Sequence, residues 1–103
     1  MEALKQALLA LTNEVYNFVA PPNHAVPYII WQREGDNDFL AGNRHSEFCE
    51  TGSVDLFTMD AKDPLITGIA NALNDMEAAW YLNSTQYEEE TGLYHYEWVV
   101  EVL

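Results

Sequence analysis

Cysteine is almost missing from this chain. Cys49 stands alone, which excludes an internal disulfide and fits a reducing compartment. Cations are nearly as scarce. Lys5, Arg33, Arg44 and Lys62 are the only lysines and arginines among 103 residues. They are too few and too scattered to displace the counterions of a phosphate backbone, so direct binding to DNA, RNA or an anionic membrane is disfavoured. No apolar run approaches the roughly 20 residues of a membrane-spanning helix. The N-terminus lacks the cationic segment, apolar run and small-residue cleavage site of a secretory leader, so the expectation is a soluble, cytosolic chain. Phosphate-cradling glycine loops, CxxC and HExxH are also missing.

What the chain has in quantity is acid. Seventeen carboxylates give a formal charge of −13, and they are unevenly placed. Residues 1–33 are neutral, with Glu2 and Glu14 against Lys5 and Arg33, whereas everything after residue 33 carries the excess. Self-repulsion of this size opposes compaction but suppresses adhesion to other anions. A hydrophobic fraction of 49% nevertheless places the sequence with folded domains, because disorder requires low hydrophobicity alongside high charge. At this length the expectation is a single domain over 1–103 that removes roughly 60–70% of its unfolded surface from water.

Leu4, Leu8, Leu11, Val15 and Phe18 recur at helical spacing, predicting a first helix over residues 2–19 that ends at Pro21 and Pro22. Tyr28, Ile29, Ile30 and Trp31 form an unbroken apolar run, predicting a buried strand over 27–34. Gly35, Asp36, Asn37, Asp38 and Gly42 are turn formers, so the chain reverses there and returns through 44–59, with a bend at Gly52. Val54 and Leu56 then face one way, Asp55 and Phe57 the other. Asp63 before Pro64 reads as a cap opening a second helix over 63–78, with Ile66, Ile69, Leu73 and Met76 as its apolar stripe. Residues 80–87 and 93–102 flank a polar turn and form a hairpin. In the second of these strands Tyr94, Tyr96, Trp98, Val100 and Val102 alternate with His95, Glu97, Val99 and Glu101. The same alternation puts Tyr81, Tyr87 and Val99 opposite the core. The order helix, strand, strand, helix, hairpin is an α+β pattern: a mainly antiparallel sheet of about four to five strands with two helices packed on one face.

No convergent catalytic set emerges. His24, His45 and His95 fall on a loop, a strand edge and a polar strand face, without a Ser or Cys nucleophile in a recognisable setting. His45 and Cys49 are four residues apart, about 13 Å along a strand, too far to share a proton. The acids at Asp36 and Asp38, and at Glu88, Glu89 and Glu90, are oxygen ligands of the kind that hold hard cations, yet neither segment supplies the further ligands of a calcium loop. Solvated turn acids are the simpler account. The expectation is a non-enzyme without metal or cofactor. Stacked nucleobases are equally disfavoured for Trp31, Trp80 and Trp98, because stacking proteins pair aromatics with a cationic groove.

Three phrases together carry a resemblance: Pro27-Tyr-Ile-Ile-Trp-Gln-Arg-Glu, Thr51-Gly-Ser-Val-Asp-Leu-Phe-Thr before a helix, and Trp80-Tyr-Leu-Asn-Ser-Thr-Gln-Tyr-Glu-Glu-Glu-Thr-Gly-Leu-Tyr-His-Tyr-Glu-Trp. The sequence resembles the small tail-completion or tail-terminator proteins of long-tailed bacteriophages and prophages, a group similar in fold to the minor tail protein U of phage lambda. The likeness runs through most of the chain from Pro27 onward. It implies a structural role in virion assembly: a homo-oligomeric ring, typically hexameric, that caps the tail tube and meets the head-tail connector, built in the bacterial host cytoplasm and then resident in the virion tail. It carries no catalytic residues over. An acidic lumen would suit such a ring, because anionic walls repel passing DNA. The candidate contact or lumen residues are Asp36, Asp38, Tyr87, Glu88, Glu89 and Glu90. The alternatives are another head-tail joining or minor capsid protein, and an acidic mimic of DNA that blocks a host DNA-binding protein.

Overall fold

Leu4 and Leu8, one helical turn apart, are both fully buried and anchor α1, Glu2–Leu9, in the computed structural model, which describes residues 1–34 and 50–102. The helix expected over 2–19 therefore ends ten residues early. Thr12 and Asn13 are poor helix formers, and the Thr12 hydroxyl accepts the Glu14 N–H at 3.2 Å, a local turn bond that competes with the helix. Val15 is then taken by a strand, β1, Val15–Asn17, in register with Ile29, Ile30 and Trp31. A tertiary pairing has overridden a helical period that Val15 and Phe18 only continued by coincidence.

β2 (Tyr28–Arg33) and β3 (Glu50–Thr58) pair antiparallel, so the chain reverses between them as expected, and the segment of that reversal, including Asp36 and Asp38, lies outside the described residues. Gly52 sits where a side chain has no room: a Cβ there would lie 2.3 Å from the Gln32 carbonyl oxygen. At the start of β3, Glu50 receives the Met1 ammonium and lies 3.5 Å from the Arg33 guanidinium. The hydrogen bond from the ammonium holds its carboxyl below the usual range.

α2, Pro64–Asp75, begins as the sequence dictates. The Asp63 side chain accepts the Leu65 N–H at 2.8 Å, Pro64 takes the first turn, and the Thr58 hydroxyl braces the cap through Asp63 Oδ2 at 2.6 Å. Two strands complete the chain, β4 (Ala79–Glu88) and β5 (Leu93–Val102), joined by a turn in which Gly92 takes φ +73° and donates to the Glu88 carbonyl at 2.8 Å. Only glycine adopts that φ without strain.

The five strands form one sheet in the order β1-β2-β3-β5-β4. It is a mixed sheet, because β1 runs parallel to β2 while the other three pairings are antiparallel. The protein is thus α+β, with two helices and a five-stranded mixed sheet among the described residues. Cross-strand tiers make its core: Ile29, Leu56 and Tyr96 lie in register, as do Trp31, Val54 and Trp98. With Val100, Val102, Leu4, Leu8, Ile69 and Leu73 they form one cluster, against which Trp31 is half-buried. Tyr96 also donates its hydroxyl to the Ala61 carbonyl, tying β5 to the loop before α2. At about 1.5–3 kcal/mol for each large side chain taken out of water, these tiers are the main stabilising force.

One irregularity shifts the pattern of β4. Leu82 pairs with Trp98 but Ser84 pairs with Glu97, so Asn83 is an extra residue, a β-bulge. Beyond it the faces exchange. Tyr81 stays with Val99 opposite the core, but Tyr87 pairs with Tyr94 and sits on the core-facing side. The expectation that Tyr87 faces away from the core is corrected by this single inserted residue.

Candidate functional site

The sheet face opposite the core carries the polar chemistry. Tyr28, Phe57 and His95 occupy one tier across β2, β3 and β5, and their rings stack at 4.8 and 4.2 Å between centroids. His24, from the loop before β2, adds a fourth ring 4.1 Å from Tyr28. Aromatic pairs of this spacing add about 0.5–1.5 kcal/mol beyond burial.

His95 closes the ladder and is held by carboxylates on both sides. Its Nε2 lies 2.7 Å from Asp55 Oδ1, and its Nδ1 lies 3.6 Å from Glu88 Oε2. Both ring nitrogens therefore face negative charge, an arrangement that suits the imidazolium. The hydrogen bond to Asp55 raises the His95 pKa above its ordinary value against the opposing effect of burial, and the charges of Asp55, Glu88 and Glu97 add to it. Burial raises the Tyr28 hydroxyl, and the Glu88 carboxylate adds to the effect.

This is not a nucleophilic triad. In such a triad the imidazole stands between hydroxyl and carboxylate, so that it can take the hydroxyl proton. Here the Ser53 hydroxyl donates to Asp55 Oδ2 at 3.4 Å, the carboxylate is in the middle, and the second imidazole nitrogen faces Glu88. The cluster joins β3, the end of β4 and β5 electrostatically; it has no free base poised over a nucleophile. Among the described residues no group of three His, Cys, Asp or Glu side chains is placed to hold a metal ion.

The candidate residues of the hairpin separate into different environments. Glu88 is engaged by His95 and also accepts the Thr91 hydroxyl at 3.2 Å. Glu89 and Glu90 are exposed at the tip. Tyr87 is 55% exposed and tilts against Tyr94 at 4.9 Å. The Asp55–His95 pair was invisible in sequence, because forty positions separate its members and only the strand register brings them together. The one available signal was an acid, Asp55, set between Val54 and Leu56 in an apolar strand.

Five of the large apolar side chains exposed among the described residues lie at the two edges of the sheet, while Val26 and Met59 are exposed in the loops before β2 and after β3. At the β1 edge, Phe18 is 56% and Val19 75% exposed, and Phe18 has φ 70°, a conformation that a bulky residue rarely adopts. At the β4 edge, Tyr81 and Leu82 join Tyr87 in exposure. The strand order places these groups on opposite sides of the molecule. A groove of about 480 Å³ also runs between the helices, lined by Ala7, Ala10, Leu11, Gly68, Ala72 and Met76. Among the described residues, no helix is long and apolar enough to cross a membrane.

Among the described residues, fold and surface together define an α+β protein whose sheet ends in β1 on one side and β4 on the other, with an acidic, aromatic outer face. No protein-family model matches the chain, and no curated protein matches it either.

Proposed function

We propose that this chain is a structural subunit of a long phage or prophage tail, a tail-completion or tail-terminator protein that closes into a ring at the head-proximal end of the tail tube and contacts the head connector. In this reading both helices pack on one sheet face. Subunits meet edge to edge, leaving the acidic turns toward the passing DNA. The observation that carries the reading is the pair of exposed apolar groups at opposite sheet edges, Phe18 with Val19 and Tyr81 with Leu82 and Tyr87. A closed ring uses a head-to-tail contact, which requires two different patches on each subunit.

The DNA-mimic alternative is less well supported, because many carboxylates have internal work: Asp55 and Glu88 hold His95, Asp63 caps α2, and Glu97 accepts the Asn83 amide at 2.8 Å. Light scattering after gel filtration, with and without purified tail tubes from a long-tailed phage, tests the reading. A discrete ring, or stoichiometric binding to tube ends, is expected. A monomer at every concentration that never binds tubes refutes it.

A further inference from the structure

We infer that the free edge of β4 is a strand-addition surface, and that its occupant is the β1 edge of a second copy of this chain. The inference rests on the self-assembling reading above and specifies its junction as main chain to main chain. Among the described residues β4 is the last strand in the sheet, paired on one side by β5. Its ten residues extend about 33 Å at the usual rise per residue and leave an outer row of backbone N–H and C=O groups. Natural edges of this length are shielded by lysine, proline or inward-pointing charge, since an unshielded edge recruits another strand.

β4 has none of these shields from Ala79 to Tyr87, nine residues without a charge or a proline. In contrast, β3 carries Glu50 and Asp55, and β5 carries Glu97 and Glu101. The bulge at Asn83 is the one protective device on this edge, and it leaves a short regular run on each side.

Charge selects the occupant. Two copies, each at −13, meet with least repulsion on an uncharged strip. This strip is bounded by Asp75 and Glu77 at one end and by Glu88, Glu89 and Glu90 at the other, so a copy displaced along it meets acids. A basic partner would be drawn to those ends and not to the neutral run between them. Head-to-tail closure further requires that the mate be a different edge, and the other edge of the sheet is β1. Its three residues, Val15–Asn17, match the short runs beside the bulge, and no charge lies between Glu14 and Arg33. Phe18 and Val19 would then lie beside Tyr81 or Tyr87 and shield the new hydrogen bonds from water.

The test is hydrogen–deuterium exchange of the full chain as monomer and as assembly, together with Thr85→Lys, which places an edge lysine at an exposed position, and Asn71→Lys as a charge-matched control on α2. Amides of β4 and of residues 15–17 should slow at least tenfold on assembly. Thr85→Lys should give a monomer by light scattering with the wild-type melting temperature, while Asn71→Lys should assemble. Assembly of a folded Thr85→Lys protein, or unchanged exchange in β4, overturns the inference while the ring reading stands. Protection of β4 without residues 15–17 overturns the assigned occupant. If Thr85→Lys fails to fold, the exchange measurement on the wild type decides. A chain that stays monomeric with and without tail tubes overturns both.

Discussion

Replacing Asp55 by Asn should destabilise the protein in a manner that depends on pH, because the lost partner is an imidazolium. Asp55 and His95 lie 2.7 Å apart with side chains only 13% and 23% exposed. A hydrogen bond between charged groups so placed contributes about 1.5–3 kcal/mol, and that is the loss expected for Asp55→Asn at pH 6. The folded protein holds the His95 proton more tightly than the unfolded chain does, since its pKa is raised. The stabilisation is therefore complete below the unfolded value near 6.5 and disappears as pH rises through the folded value. Between the two values it falls by at most about 1.4 kcal/mol per pH unit. The groups facing the ring are Asp55 on β3, Glu88 at the end of β4, and Glu97 on β5, with Tyr28 on β2 further along the ladder. Urea unfolding of wild type, Asp55→Asn and His95→Gln from pH 5.5 to 9, with an NMR titration of the His95 ring, measures both parts. The wild-type advantage over each variant should shrink toward alkaline pH. An advantage of the same size at pH 6 and pH 9, or a His95 midpoint at or below 6.5, would refute the reasoning.

Gly52→Ala should lower stability by about 1–3 kcal/mol, since the new methyl meets the Gln32 carbonyl, a backbone atom that cannot step aside; thermal melts read this directly. Asp63→Ala should cost about 0.5–2 kcal/mol as a lost helix cap, and somewhat more because the Thr58 hydroxyl also loses its acceptor. Trp98→Ala, removing a side chain 2% exposed at the centre of the sheet, should cost about 3–5 kcal/mol in urea unfolding. Glu90→Gln, at the exposed hairpin tip, should leave the monomer's stability within about 0.5 kcal/mol of wild type.

The elements that were legible in sequence are those whose own residues enforce them. The alternation from Tyr94 to Val102 placed β5 and its buried face, and Asp63-Pro64 placed the start of α2. What escaped was set by partners distant in sequence. Val15 fits the helical period of Leu4 and Leu8, and only the presence of β2 beside it makes it a strand residue. Tyr87 fits a strict alternation with Tyr81, and only pairing with β5 introduces the bulge that turns it over. The site followed the same rule. Glu88, Glu89 and Glu90 read as one acidic turn, yet the fold draws Glu88 toward His95 and leaves the other two in solvent.

The position of β5 governs the order in which this molecule can assemble itself. It is last among the strands in sequence yet lies inside the sheet, with β3 on one flank and β4 on the other. Joining Glu50 to Val102 and Thr58 to Tyr94 encloses α2 and β4 in a single long loop. Its entropy is lost before the tiers of the core can form, which makes this the slow closure of the fold. The β4–β5 hairpin is local and closes over a short turn, whereas the β3–β5 seam joins two pieces that are separate in sequence, β1–β2–β3 and the hairpin. Until that seam closes, the facing flanks of β3 and β5, one on each piece, are open to another molecule. Crowded synthesis of many copies thus favours exchange of hairpins between neighbours, and a chain shortened within β5 cannot close its sheet at all.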